Sequence, residues 1–257
     1  MISSEVYQYA EYYDIAASFV DVPRQIDLLE AYIRAHSAIP VRRVLDICCG
    51  PSPQLREFVR RGYQGIGLDA SRPMLDYLHR KAAEEQRPVE TACADLRDFT
   101  LAEPVDFGYI LMGTIPYVGS RQGMLSHLGC VAQALRPGGL YLIENLLMDW
   151  VSASTGASAD WTMARDGITV TSHFQLDVLD PLAQTARHIL TFTVDDNGKE
   201  VHLAEDCVVP LIFPQEFIGL VDGQGAFEFI GFFERDSIAP LRRLANDNIA
   251  LLRRRSS

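Results

Sequence analysis

A chain of 257 residues, 48% apolar with a mean hydropathy of +0.02, can bury one sizeable core, or one core with an appended layer, and is too short for two full domains. No apolar run approaches the roughly 20 residues that span a bilayer, and the first five residues lack the basic flank and apolar stretch of a secretory signal; a cytoplasmic protein without membrane contact is expected. A net charge of −11, from 34 acidic and 23 basic residues, repels phosphate backbones and argues against a nucleic-acid partner.

Residues 5–36 read as a helical, amphipathic cover, with Tyr9, Tyr12 and Tyr13 at helical spacing. Asp21 is a plausible cap, Pro23 sits near a first-turn position, and Ile26, Leu29 and Ile33 form an apolar stripe. An alternation then begins. Strand-like runs at Val41–Cys48, Tyr63–Leu68, Val89–Ala94, Phe107–Met112 and Leu140–Glu144 are separated by helical stretches near 53–61, 71–86 and 120–135. Such a rhythm means βαβ units, a parallel sheet and right-handed crossovers, and near-continuous apolar strands fit a sheet covered on both faces.

After residue 150 the pattern changes. Ile168–Asp177, Thr185–Val194 and Val201–Leu211 are strand-like, with turns near Asp180-Pro181 and Asp195–Gly198. They predict an antiparallel meander of about three strands, serving as a lid over a pocket or as an edge for a homodimer. Pro214 opens a further helix, and Phe227–Phe233 and Ile249–Leu252 complete the sheet. The expected fold class is α/β: a seven-stranded, mostly parallel, doubly wound sheet with an antiparallel β meander inserted after strand five. In numbers, 1–36 would be the helical cover, 37–150 the binding core, 151–212 the insertion and 213–257 the completion of the sheet.

Five cysteines (Cys48, Cys49, Cys93, Cys130, Cys207) are an odd number with no CxxC spacing, so free thiols of a reducing compartment and no metal are expected. In an open parallel sheet, ligands bind beyond the carboxyl ends of the strands, where strand order reverses. Four of the five predicted strand ends carry a carboxylate: Asp46, Asp69, Asp95 and Glu144. A dinucleotide pyrophosphate wants backbone N–H groups in a G-x-G-x-x-G turn and no negative charge nearby. Here the loop holds one glycine, Gly50, and Pro51 and Pro53 remove two donors. S-adenosylmethionine has no phosphate and carries a sulfonium, an ammonium group and a ribose diol, all suited to a carboxylate-lined crevice.

The run Val44-Leu45-Asp46-Ile47-Cys48-Cys49-Gly50-Pro51 resembles the glycine-rich first motif of class I S-adenosylmethionine-dependent methyltransferases. Gly67–Ser71 resembles their second motif, Cys93–Phe99 their third, and Leu135–Tyr141 the turn before their fifth strand. The likeness covers about a hundred residues in order, with Cys48 and Ser52 standing where the family commonly has the outer two of three alternating glycines. It implies that Asp46 and the Cys48–Gly50 backbone hold the methionine end of the cofactor. Asp69 would hold the ribose, with Ala70 beside it, Asp95 the adenine amino group, and the Leu96 N–H a ring nitrogen. Met74 and Met112 would pack on the adenosyl group, and Tyr13, in a stretch that small-molecule members fold over the cofactor, would touch cofactor or acceptor.

Methyl transfer is an in-line displacement in which alignment alone removes much of the barrier, roughly 7 kcal/mol or more. Tyr117 and Glu144 are the candidate catalytic groups, and Asn145, Trp150 and His173 the candidate acceptor contacts. The reaction expected is transfer of the methyl group to an O or N atom of a small-molecule acceptor. Two alternatives stand beside it: a non-catalytic module that keeps the fold and acts through a partner, and nicotinamide-dependent hydride transfer.

Overall fold

The computed structural model describes residues 5–149 and 152–256. A short 3₁₀ turn (Val6–Gln8) leads into α1 (Ala10–Ala16) and α2 (Val22–His36), so the predicted cover is two helices with a break at 17–21. Asp21 accepts from the Arg24 N–H at 3.2 Å and starts α2, with Pro23 in the first turn. The core follows as β1 (Arg43–Ile47), α3 (Pro53–Arg60), β2 (Gln64–Asp69), α4 (Arg72–Glu84), β3 (Glu90–Cys93), β4 (Val105–Ile110), α5 (Arg121–Ala134) and β5 (Leu135–Glu144). Beyond a turn of helix, α6 (Ser152–Thr155), lie β6 (Ala157–Arg165), β7 (Ile168–Asp180), β8 (Thr185–Asp196) and β9 (Lys199–Pro210). The chain closes with α7 (Pro214–Gln224), β10 (Phe227–Glu234) and β11 (Asn248–Arg254).

Seven strands form the main sheet in the order β10-β11-β5-β4-β1-β2-β3. Pairing is parallel from β3 to β5, and β11 joins β5 antiparallel. Every residue of β4 is buried, because helices cover both faces. On one face α5 and α7 pack through Leu128, Val131, Phe217 and Val221, and on the other α2 and α3 pack through Ile26, Leu29, Leu55 and Phe58. Strand order reverses between β1 and β4, which sets the ligand crevice beyond their carboxyl ends. β5 starts five residues before the predicted Leu140: Leu135 pairs with Val105, and the register slips across the Pro137-Gly138-Gly139 run before Leu140 meets Phe107.

The meander is a separate four-stranded sheet, β6-β7-β8-β9, rather than the three strands expected. The missed strand, β6, is mostly small and polar, and it pairs with β7 through a hairpin at Asp166 (φ 52°) and Gly167 (φ 83°), the left-handed pair of a tight two-residue turn. Its inner face closes on the N-terminal segment, burying Val6, Ile15, Val170, Phe192 and Leu203 in one cluster. Two polar contacts fix that packing: Trp161 Nε1 donates to the Ala16 carbonyl at 2.8 Å, and the Tyr12 hydroxyl to Asp196 at 2.9 Å. Among the described residues no helix is long and apolar enough to cross a membrane.

Candidate active site

The loop from β1 to α3 is the floor of the site. Cys48 (φ 55°), Gly50 (φ 52°) and Ser52 (φ 38°) all lie in the left-handed region, so the backbone keeps the alternating conformation for which glycine is the unstrained choice at three positions. A Cβ on Gly50 would meet Tyr13 and the Met74 sulfur in ordinary contact at 3.9 Å each, so loop, α4 and α1 come together over this residue. Ser52 caps α3 by accepting from the Leu55 N–H at 3.1 Å and donates its hydroxyl to Asp46.

Asp46 is 4% exposed, and burial pushes its carboxyl up to about 7 against the opposing hydrogen bond from Ser52. Burial also raises Asp69, although it accepts from the Gly50 and Ser71 N–H groups at 2.8 Å each. Ser71 caps α4 and donates its hydroxyl to the Tyr7 carbonyl at 2.6 Å, tying the N-terminal segment to the end of β2. At the third strand end, Asp95 receives a bidentate Arg97 guanidinium at 2.8 and 2.6 Å, whose hydrogen bonds hold the carboxyl below its usual range. Leu96 is fixed from behind by His127, which bridges its carbonyl (2.8 Å) and the Tyr141 hydroxyl (2.6 Å); burial lowers this histidine to about 4, so it is neutral.

These groups open onto a cleft of about 930 Å³. Of the predicted site residues, Tyr13, Asp46, Cys48, Gly50, Asp69, Ala70, Met74, Asp95, Leu96, Met112 and Tyr117 line it together. Tyr117 touches Tyr7 hydroxyl to hydroxyl at 2.8 Å, and burial raises both phenols far above neutrality. Burial likewise takes Tyr13 to about 12.

Three predicted residues fall elsewhere, and a fourth is not among those described. Glu144 is buried behind the cleft, where it accepts from the Met112 N–H at 2.7 Å and so holds the loop after β4. Asn145 adopts φ 52° and packs against Gly113, outside the cleft lining. His173 points to the outer face of the meander and pairs with Asp160 at 2.7 Å. Trp150 lies outside the described residues.

Among the lining residues to which the sequence reading gave no role are Tyr7, Glu205 and Cys207. The last two face inward from β9, where the buried register runs Leu203, Glu205, Cys207, Val209, and Glu205 is 3% exposed. A lone acid in the apolar register of an alternating strand was the available signal.

A family model described as a methyltransferase domain matches residues 44–139. The cypemycin N-terminal methyltransferase of a Streptomyces species is 28% identical over 134 residues, 52% of this chain and 53% of that protein. This chain therefore spans about half the length of that relative. The dTDP-3-amino-3,4,6-trideoxy-alpha-D-glucopyranose N,N-dimethyltransferase of Streptomyces venezuelae is 27% identical over 175 residues, 67% of this chain and 69% of that protein. A crystal structure of an S-adenosylmethionine-dependent methyltransferase from Clostridium acetobutylicum superposes with a TM-score of 0.79 at 14% identity, covering 96% of this chain and 98% of that one. The match over residues 44–139 and these relatives support a class I S-adenosylmethionine-dependent methyltransferase.

The family's methyl donor fits the residues present. A sulfonium nucleoside without phosphate suits carboxylates such as Asp46 and Asp69, whose pKa values burial raises and whose hydrogen-bond partners are the Ser52 hydroxyl and the Gly50 and Ser71 N–H groups. The cleft of about 930 Å³ that these residues line leaves room for it. An adenine amino group would compete with Arg97 for Asp95.

Proposed function

We propose that this methyltransferase transfers the methyl group of S-adenosylmethionine to the nitrogen of a small-molecule amine. The observation that carries the nitrogen assignment is Glu205, a buried carboxylate on the lid wall of the cleft, close enough to Tyr7 and Tyr117 to act on both phenols electrostatically. An amine offers N–H donors to such a group, whereas an alcohol has one and needs a strong base to lose it. The methyltransferases similar to this chain agree in direction, since one is named for a peptide N-terminus and another for an amino sugar.

In this reading Asp46 and the left-handed loop hold the methionine end of the cofactor, Asp69 the ribose, and Asp95 with the Leu96 N–H the adenine. Bound there, S-adenosylmethionine supplies an electrophilic methyl group. The chain's own work is positioning. Tyr13 closes over the loop, Tyr7 and Tyr117 stand at the acceptor end as neutral hydroxyls, and the β8–β9 half of the lid sheet keeps water out. Glu144 positions the Met112 backbone rather than touching the reactants.

The test is product analysis. Incubated with S-adenosylmethionine and a panel of primary amines paired with the matching alcohols, the protein is expected to form S-adenosylhomocysteine and N-methylated product from the amines. Methylation confined to the alcohols would overturn the proposal.

A further inference from the structure

The charges lining the cleft restrict which amines can enter. Three cationic side chains line it among the described residues, Arg56, Arg97 and Arg165, with no lysine or histidine beside them. Each guanidinium is already engaged. Arg56 pairs with Glu85, Arg97 lies bidentate on Asp95, and Arg165 reaches Asp14 at 2.8 Å while donating to the Tyr77 hydroxyl at 3.3 Å. Against these three stand five lining carboxylates, Asp14, Asp46, Asp69, Asp95 and Glu205, so the lining is net acidic. The protein as a whole carries −11, which adds to the repulsion of an anion.

The rim points the same way. Met112 is 41% exposed and lines the cleft with Val20, Val22, Pro116 and Val209. Large apolar side chains left open at the mouth of a pocket favour an apolar body in the ligand.

Resting on the N-methylation reading above, we infer that the acceptor is a phosphate-free amine with an apolar body, its nitrogen at Glu205 and its carbon frame against Met112, Pro116 and Val209. On this inference a nucleotide-linked amino sugar, the substrate class named for the Streptomyces venezuelae relative, is a poor acceptor. Its diphosphate would bring two negative charges into a cleft that holds Glu205 and whose three arginines each pair with a carboxylate in this structure.

A matched pair of probes tests this on the full-length protein. One is 3-amino-3,4,6-trideoxyglucopyranose as its thymidine diphosphate ester, and the other is the same amino sugar as its phenyl glycoside. The phenyl glycoside is expected to show at least tenfold higher kcat/KM, and at least tenfold tighter binding to the protein loaded with S-adenosylhomocysteine. Equal values, a preference for the diphosphate, or no saturable binding of either probe overturns the inference. Turnover of the diphosphate ester at its amine would do so while leaving N-methylation intact, whereas transfer to a hydroxyl would sink the N-methylation reading and leave the binding ratio to decide this one. Glu205→Gln is expected to shrink the ratio between the probes by threefold or more, and an unchanged ratio would remove Glu205 from the recognition.

Discussion

Tyr7 and Tyr117, 110 positions apart in the chain, meet hydroxyl to hydroxyl at 2.8 Å where the N-terminal segment crosses the loop after β4. Because the pair is part-buried, removing one hydroxyl leaves the other without this partner, a loss of roughly 1 kcal/mol. Tyr7→Phe and Tyr117→Phe are each expected to lower kcat/KM for the acceptor roughly fivefold, with the dissociation constant of S-adenosylmethionine unchanged. The double variant is expected to be little worse than either single one, and a fully additive loss in steady-state assays would show that the two act separately.

Asp69 receives two backbone N–H groups and still has lone pairs for a diol. Losing charge-assisted bonds of about 1.5–3 kcal/mol should weaken S-adenosylmethionine binding by roughly tenfold or more in Asp69→Ala. Calorimetry that finds unchanged affinity would place the ribose elsewhere.

Asp46 makes a pH prediction with two signs. Its carboxyl titrates near 7 in the folded protein, above its ordinary value of 3.8, so its stabilising effect is fully present below 3.8 and is lost as pH rises through 7. Asp46→Asn should therefore raise Tm at pH 8, by roughly 4 °C, and by less at pH 5. Cofactor affinity runs the other way, because only the ionised carboxylate holds a cation. Calorimetric affinity for S-adenosylmethionine should fall as pH drops below 7 and level off above it, and S-adenosylhomocysteine, which lacks the sulfonium, should show a shallower dependence. Parallel curves for the two would remove Asp46 from the neighbourhood of the sulfur.

The two non-glycine residues of the left-handed loop should answer oppositely to substitution. Cys48→Gly relieves a conformation costing roughly 1–2 kcal/mol for a residue with a Cβ, at an entropic cost of about 0.4–1 kcal/mol, so Tm should rise by roughly 2 °C with cofactor affinity within threefold. Ser52→Ala keeps the strained φ and loses both the cap and the hydroxyl on Asp46, and its Tm should drop by roughly 4 °C or more. Thermal denaturation of both, with and without cofactor, separates these outcomes.

The floor of the site was legible because its residues are fixed by local rules. Asp46, Asp69 and Asp95 sit at or just beyond strand ends, and a parallel sheet brings its strand ends together whatever else the chain does. The acceptor side obeys no such rule. Tyr7 and Glu205 reach the cleft only through the packing of the lid sheet on the N-terminal segment, which depends on contacts nearly two hundred positions apart. Glu144 and Asn145 were drawn to the site by their strand end, but β5 is flanked by β11, and Asn145 gives its N–H to the Asn248 carbonyl at 2.7 Å. β6 was missed because its mostly exposed residues give almost no hydrophobic alternation to read.

The seating of Ala16 under Trp161 and of Tyr12 against Asp196 has a consequence for synthesis. As the chain emerges from the ribosome, α1 is made before the parallel core, yet the strands that bury its apolar side come after that core. The helix α1 must wait, unsatisfied, while the central sheet assembles, and docks only when β8 is complete. Assembly is therefore ordered in time, with the cover and lid closing last over a crevice already built.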